Sequence, residues 1–199
     1  PISRVAVDKY RDVPDQTTYA QTIFSILGNI KPGQLEKVVI SRSHHVRVGR
    51  GFSAVSAMQV LRNVYPKCIS FFFAFPGMGT FFGSTPERLI RLKNRFIQTE
   101  ALAGTIARGN NMEEDRILAE TLMGSHKERE EHNLVMEQII RKLEPIILDI
   151  KCSSSPQILK LKNVQHLQTP ITGELGKDEH ILNLVTRLHP TSAVAGTPT

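Results

Sequence analysis

Apolar residues recur along this chain in two spacings, which indicate helices and strands. The first segment predicts a helix that begins near Val13-Pro14-Asp15, since proline suits the first helical turn and the apolar residues share one face. These apolar residues are Tyr19, Ile23, Ile26 and Leu27. We expect the helix to end between Gly28 and Lys31-Pro32-Gly33.

The remaining pattern alternates between strand-like and helix-like segments. Apolar and β-branched runs predict strands, and i, i+3, i+4 spacing predicts helices. The predicted strands cover 37–42, 68–75 (expected to be buried) and 158–167, and the predicted helices cover 52–64, 112–143 (broken near Gly124-Ser125) and 181–188. We expect turns at 76–79 and 173–180, and no repeat or linker divides the chain.

The segment from Gly83 to Thr105 carries two acids next to turns. Glu87 follows a turn cluster, Glu100 precedes a Gly-Thr pair, and Lys93-Asn94 between them predicts a hairpin turn. Acids at strand ends are suited to a pocket for a small polar ligand. The pattern alone favours an ordinary surface hairpin with solvated acids.

Composition narrows the class of protein. The 199 residues are 40% hydrophobic and 22% charged, with a net charge of +6, which indicates a globular chain that favours anionic partners. The absence of Trp and of a Lys/Arg block weighs against nucleic-acid binding. No apolar run is long enough to span a bilayer. Cys68 and Cys152 stand outside any CxxC motif, which suits a reducing compartment and no zinc site, although pairing between them stays open.

Histidines and one glutamate are weaker candidates. His44 and His45 are adjacent on a predicted strand and would face opposite sides, so they make a poor metal site. A lone histidine such as His166 is more often a hydrogen-bonded structural residue than a ligand. Glu131 lies in a charge run typical of a solvated helical face, but it is four positions before Val135 and could border the buried stripe, where it would need a cation or a proton.

Six blocks of this sequence, in order, resemble the chorismate-utilising enzyme family. The blocks are KVVISR (37–42), GSTPERL (83–89), EALAGT (100–105), KEREEHNLV (127–135), VQHL (164–167) and LHPTSAVAGTP (188–198). Within the family, the sequence resembles isochorismate synthase most, because it has a lysine at position 37 and an alanine at position 101. The resemblance implies Mg²⁺-dependent conversion of chorismate to isochorismate, by addition of water at C2 and loss of the C4 hydroxyl.

The resemblance also implies roles for individual residues. Lys37 would be the general base for water and Glu87 the general acid, whose pKa burial would raise. Glu131 would be one of the Mg²⁺ ligands. The residues implied to lie near the substrate are Glu100, Leu102, Gly104, Thr105, His166 and the loop from His189 to Gly196.

The fold that the resemblance implies is α+β, with large, mostly antiparallel sheets flanked by helices. We expect residues 1–199 to form a single chorismate-binding catalytic domain that lacks its C-terminal part and, with it, a second metal glutamate. This chain alone is therefore expected to be inactive or poorly folded. The implied protein is a cytoplasmic monomer that binds Mg²⁺ and chorismate, without nucleic-acid or membrane partners.

Three alternatives remain open at this level. The chain could be a salicylate synthase, or the first component of anthranilate or aminodeoxychorismate synthase. It could be a non-catalytic fragment or basic binding module, although a binding module has no need of Lys37, Glu87 and Glu131 together. An RNA-binding domain rests on charge alone.

Overall fold

A computed structural model describes residues 7–30, 35–49 and 51–197 of the chain. The helices are α1 (Gln16–Asn29), α2 (Ala54–Val64), α3 (Met112–Gly124), α4 (His126–Leu143) and α5 (Ile181–Leu188), with a short 3-10 helix at Glu144–Ile146. The strands are β1 (Val7–Val13), β2 (Lys37–Val38), β3 (Ser43–Val48), β4 (Ile69–Phe75), β5 (Gly79–Thr85), β6 (Arg91–Lys93), β7 (Phe96–Ala107), β8 (Lys151–Cys152), β9 (Gln157–Lys160), β10 (Val164–Glu174) and β11 (Gly196–Thr197).

One five-stranded antiparallel sheet forms the centre of the fold. Its strands run in the order β6-β7-β10-β8, with β9 also paired to β10. The long pairing of β7 with β10 extends from Ala107↔Val164 to Phe96↔Glu174, with a register shift between His166 and Gln168. α4 packs on β7 and β10, and α5 packs on α4.

The hydrophobic core lies between this sheet and the helices on it. Alternate residues of β7 and β10 point into the core, as the period of two in a strand requires. The buried cluster comprises Ile97, Ala101, Ala103, Val135, Ile139, Leu143, Ile147, Ile171, Leu175, Leu184 and Leu188. The same sheet therefore both anchors the fold and carries the EALAGT segment.

Three smaller antiparallel pairs complete the described structure. β1 pairs with β3, β4 pairs with β5, and β2 pairs with β11. The last of these joins Val38 to Gly196 and Lys37 to Thr197, residues from opposite ends of the chain.

Side-chain caps explain where several helices begin. The carboxylate of Asp15 accepts the Thr18 N–H at 3.0 Å, and the side-chain oxygen of Asn111 accepts the Glu114 N–H at 2.9 Å. Ser125 ends α3 and begins α4, because its hydroxyl accepts the Glu128 N–H at 3.4 Å. The predicted break at Gly124-Ser125 is thus confirmed, and it turns the long helical pattern into two helices.

Most of the other predicted elements are confirmed. The helix at 181–188 has the predicted bounds, and the Lys93-Asn94 turn joins β6 to β7 with Asn94 at φ 56°. The turn at 76–79 joins β4 to β5. The α+β class with antiparallel sheets and flanking helices is also confirmed.

Two strand predictions and one turn prediction were wrong in extent. The strand predicted at 37–42 covers only Lys37–Val38, because its pairing partner β11 is equally short. The strand predicted at 158–167 is two strands, β9 and β10, that pair antiparallel around a turn. β10 then continues to Glu174, so the turn predicted from 173 begins later.

One burial prediction was also wrong. The strand predicted to be buried at 68–75 is largely exposed, with Phe73 at 53% and Phe75 at 51%, because only part of the β4–β5 pair is covered by α2. On the predicted apolar face of α1, Tyr19, Ile23 and Ile26 are half-buried and Leu27 is 60% exposed. The predicted helix-ending segment Lys31-Pro32-Gly33 lies outside the described residues.

Candidate active site

The side-chain amine of Lys37 is held between a loop and a helix. Its Nζ donates to the backbone oxygen of Ser192 at 2.7 Å and lies 3.1 Å from the Glu131 carboxylate. The Lys37 side chain is 12% exposed, and that of Glu131 is 34% exposed. A buried ammonium requires such partners, and the contact sets a predicted base beside a predicted metal ligand.

Gly196 holds the backbone next to Lys37. Its φ is +102°, and a Cβ at this position would lie 2.4 Å from the Lys37 backbone oxygen. Only glycine fits a positive φ at so close an approach. The sequence therefore places a glycine where the two chain segments meet, and this geometry accounts for Gly196 without a contact to any ligand.

Glu87 is a half-buried acid at the end of the β4–β5 hairpin. Burial raises the pKa of its carboxyl above the usual value of 4.5, and the neighbouring Glu100 carboxylate raises the pKa further. The positive charges of His189 and Lys37 oppose this shift. The Glu87 N–H donates to the Thr85 hydroxyl at 3.1 Å, which fixes the backbone of the turn.

Glu100 is fixed by the strand neighbouring its own and by the turn. One carboxylate oxygen accepts the Arg88 N–H at 3.1 Å, and the other accepts the side-chain amide of Gln168. Leu102, which is 8% exposed, lies directly opposite Gln168 in the β7–β10 ladder.

Thr105 and His166 form a second part of the candidate site. The Thr105 hydroxyl and His166 Nδ1 are hydrogen-bonded at 2.9 Å, and the Thr105 N–H donates to Glu128 at 3.2 Å. Burial lowers the pKa of His166, which favours its neutral form. Gly104 has φ +84°, and a Cβ there would lie 3.1 Å from Leu167, so glycine allows the strand to bend over that side chain.

The loop from His189 to Gly196 is attached to α4. The N–H of Ser192 donates to the Gln138 side-chain oxygen at 2.6 Å, and Ser192 is fully buried. The Lys142 amine donates to the backbone oxygens of Leu188 at 3.2 Å and Pro190 at 3.1 Å. His189 is the C-cap of α5 and begins this loop, and a positive charge on its ring would lower the pKa of the Glu87 carboxyl.

Comparisons with known proteins show the family to which the chain belongs. The family model for the chorismate binding enzyme matches residues 3–199. The chain belongs to the chorismate binding enzyme family. Its match to isochorismate synthase MenF of Escherichia coli (strain K12) is 37% identical over 187 residues and covers 93% of this chain and 42% of that protein.

Further relatives support the same membership. The salicylate biosynthesis isochorismate synthase of Pseudomonas aeruginosa is 37% identical over 174 residues, covering 86% of this chain and 36% of that protein. The solved structure of MenF, described as the menaquinone-specific isochorismate synthase from Escherichia coli, superposes with a TM-score of 0.89 at 34% identity, covering 100% of this chain and 46% of that one. The chain thus spans less than half the length of these relatives.

The structure brings some of the predicted site residues into contact and leaves others apart. Lys37 contacts Glu131 directly and acts on Glu87 through charge, and Thr105 contacts His166. The described contacts thus fall into two groups, one around Lys37 and one around Thr105. The catalytic and substrate roles of all these residues stay predictions, as do the single domain, the monomer and the cytoplasmic location.

Sequence reasoning missed several residues that shape the site. They are Glu128, Gln138 and Lys142. A signal was available for two of them, because Gln138 and Lys142 follow Glu131 by seven and eleven positions and thus share its helical face. Nothing in the sequence indicates that their partner is the loop at 192.

Glu131 has the chemistry of a magnesium ligand, since Mg²⁺ prefers carboxylate and water oxygens. Within residues 7–30, 35–49 and 51–197, however, no group of three His, Cys, Asp or Glu side chains is arranged to hold a metal ion. These residues therefore fit one part of a metal site rather than a complete one.

No helix in the described part of the chain combines the length and apolar character needed to cross a membrane.

Proposed function

We propose that the protein containing this chain is an isochorismate synthase. It would convert chorismate to isochorismate by adding water at C2 and releasing the C4 hydroxyl as water. The relatives that carry this name match nearly the whole chain, but the chain spans less than half of them. The proposal for the whole activity therefore rests on the family together with the geometry of this part.

The observation that carries the proposal is the placement of a basic amine and a protonatable acid in one site. Water is a poor nucleophile and hydroxide a poor leaving group, so the reaction needs a base on one side and an acid on the other. Lys37, in its neutral amine form, would accept the proton of the attacking water. Glu87, whose pKa burial raises, would donate a proton to the leaving hydroxyl.

The family chemistry also includes Mg²⁺, which we propose is bound in part by Glu131. A bound cation would neutralise a substrate carboxylate and orient the ring. The fit is that of a partial site, because Glu131 supplies oxygen ligands of the right kind while the described residues around it do not complete a group of three such side chains. A salicylate synthase or an amine-transferring member is a less favoured alternative, since the relatives described above carry isochorismate synthase names.

The test measures isochorismate formed from chorismate and Mg²⁺. It is run on this chain and on a form extended to the length of its relatives, each with and without Glu87→Gln. We expect the extended form to be active and the substitution to lower kcat by about 10²- to 10⁴-fold, the usual contribution of a general acid. EDTA should abolish the activity.

Glu113→Gln is the matched control, because Glu113 is an exposed glutamate at the start of α3 that pairs with Arg116. It should leave kcat unchanged. Product analysis decides the alternatives: salicylate, or anthranilate formed only with ammonia, would replace the proposal by another member of the family. Chorismate binding without turnover in the extended form would indicate a non-catalytic module.

A further inference from the structure

One face of α4 supports the predicted base, Lys37, both by a direct contact and through a loop. Glu131, Gln138 and Lys142 share this face at spacings of seven and four residues. Glu131 contacts the Lys37 amine directly, at 3.1 Å. Gln138 and Lys142 instead hold the loop that supplies the other partner of the amine.

The contacts form a closed ring of four residues: Lys37, Ser192, Gln138 and Glu131. The Lys37 amine donates to the Ser192 backbone oxygen at 2.7 Å, and the Ser192 N–H donates to the Gln138 side-chain oxygen at 2.6 Å. Gln138 and Glu131 belong to the same helix, which completes the ring. The position of the amine is therefore set by α4 on one side and by Ser192 on the other.

Burial makes the Gln138 contact important for the loop. Ser192 is 0% exposed and Gln138 is 6% exposed, so water does not replace the acceptor if the amide oxygen is removed. A buried N–H without a partner is unfavourable, and the loop would have to move to reach another one. The N–H and the carbonyl oxygen of Ser192 belong to the same residue, so the move displaces the oxygen that binds Lys37.

We propose that Gln138 is a positioning residue for the Lys37 amine, acting through the backbone of Ser192. The proposal rests on the proposed function, in which Lys37 accepts a proton from water. Gln138 need not contact the substrate. Its effect is on the geometry of proton transfer, which is sensitive to displacements of about 1 Å.

Lys142 is a second attachment of the same loop. Its amine binds the backbone oxygens of Leu188 and Pro190, which lie before Ser192. It acts further from the Lys37 contact than Gln138 does. We therefore expect Lys142→Met to have the same kind of effect as a Gln138 substitution, but a smaller one.

The test uses Gln138→Met in the full protein, because methionine keeps the length of the side chain and removes the acceptor. We expect kcat to fall by about 10- to 100-fold, as for a displacement near 1 Å, with KM for chorismate changed less than about threefold. Gln138→Glu keeps an acceptor oxygen and should restore most of kcat. Ile97→Val, which removes a methyl group from the core away from this ring, is the control for a general loss of packing.

A second measurement does not depend on turnover. The rate at which an amine-reactive ester labels Lys37, read by peptide mass spectrometry, reports how firmly the amine is held. Labelling should be several-fold faster in Gln138→Met and close to wild type in Gln138→Glu and Ile97→Val. If Gln138→Met does not fold, Lys142→Met replaces it in both measurements.

The outcomes separate this inference from the proposed function. A wild-type protein that makes no isochorismate defeats the proposed function, and the labelling rates still decide whether Gln138 holds the amine. Wild-type labelling and wild-type kcat in Gln138→Met would overturn the inference. So would an equal loss of kcat in Ile97→Val, since that result would indicate a general loss of stability.

Discussion

The N-terminal region (7–85) and the sheet region (91–197) differ sharply in burial. α1 has no buried residue and α2 has one, Met58, whereas α4 has five. Apart from Met58, every buried hydrophobic residue among the described side chains belongs to the sheet region. Burial of apolar area is the main source of stability, so the sheet region must supply most of it.

The predicted base nevertheless belongs to the weakly buried region. Lys37 is held by partners that the sheet region supplies: Glu131, the Ser192 carbonyl and the β11 backbone. The difference shows that a residue can be precisely positioned even when the region it belongs to has few buried side chains. It needs only contacts to a region that is already rigid, as in sites built on a stable scaffold.

Removing core volume should give the largest difference between the two regions. Leu167 is fully buried beneath Gly104, so Leu167→Ala should lower the free energy of unfolding by about 2–5 kcal/mol. Phe24 of α1 is 74% exposed, so Phe24→Ala should change it by less than about 0.5 kcal/mol. Urea unfolding of both variants measures the two values, and equal losses would show that α1 is packed as well as the sheet.

Gly196→Ala should have the next largest effect, because it breaks the junction of the two regions. The new Cβ would meet the Lys37 backbone oxygen at 2.4 Å. Gly77, with φ +74° and nothing within 4 Å, is the matched control for the backbone conformation alone. We expect Gly196→Ala to cost about 1–3 kcal/mol more than Gly77→Ala, the usual cost of overpacking. Similar midpoints in urea would mean that the junction yields without strain.

The smallest expected effect is a shift in pH dependence. The Glu100 carboxylate of β7 helps to raise the pKa of Glu87. A general acid works only while protonated, so kcat is lost as the pH rises through this pKa. Glu100→Gln removes the negative charge and should therefore move the high-pH limb of kcat to lower pH. Glu120→Gln, on the exposed face of α3, should leave the pH profile unchanged, and a shift towards higher pH in Glu100→Gln would contradict the assigned role of Glu87.

Local signals in the sequence predicted the elements that depend on nearby residues. Ser125 divides the long helical pattern because its hydroxyl caps the helix that follows. Asn94 tolerates the positive φ of the hairpin turn between β6 and β7. In each case the deciding interaction lies within a few positions of the residue concerned.

Features that depend on distant partners could not be predicted in the same way. The apolar run at 68–75 predicts a strand, but its burial depends on which element covers it. The division of 158–167 into β9 and β10 is an exception, because Lys162-Asn163 between them repeats the Lys-Asn pair that predicts the β6–β7 turn. The contact of Gln138 with Ser192 joins residues 54 positions apart, and an ordinary glutamine on a helix gives no sign of it. The resemblance to a family identified Lys37, Glu87 and Glu131 as candidates, but not the loop contacts that hold the amine.

The separation of Lys37 from its partners has a consequence for the order of folding. The amine and the Ser192 carbonyl are 155 positions apart, whereas the β6–β7 hairpin closes between Lys93 and Phe96. Closing a long loop carries a larger entropic cost than closing a short one, and distant contacts form late. The central sheet can therefore assemble before the Lys37 amine forms its contact with the Ser192 carbonyl oxygen.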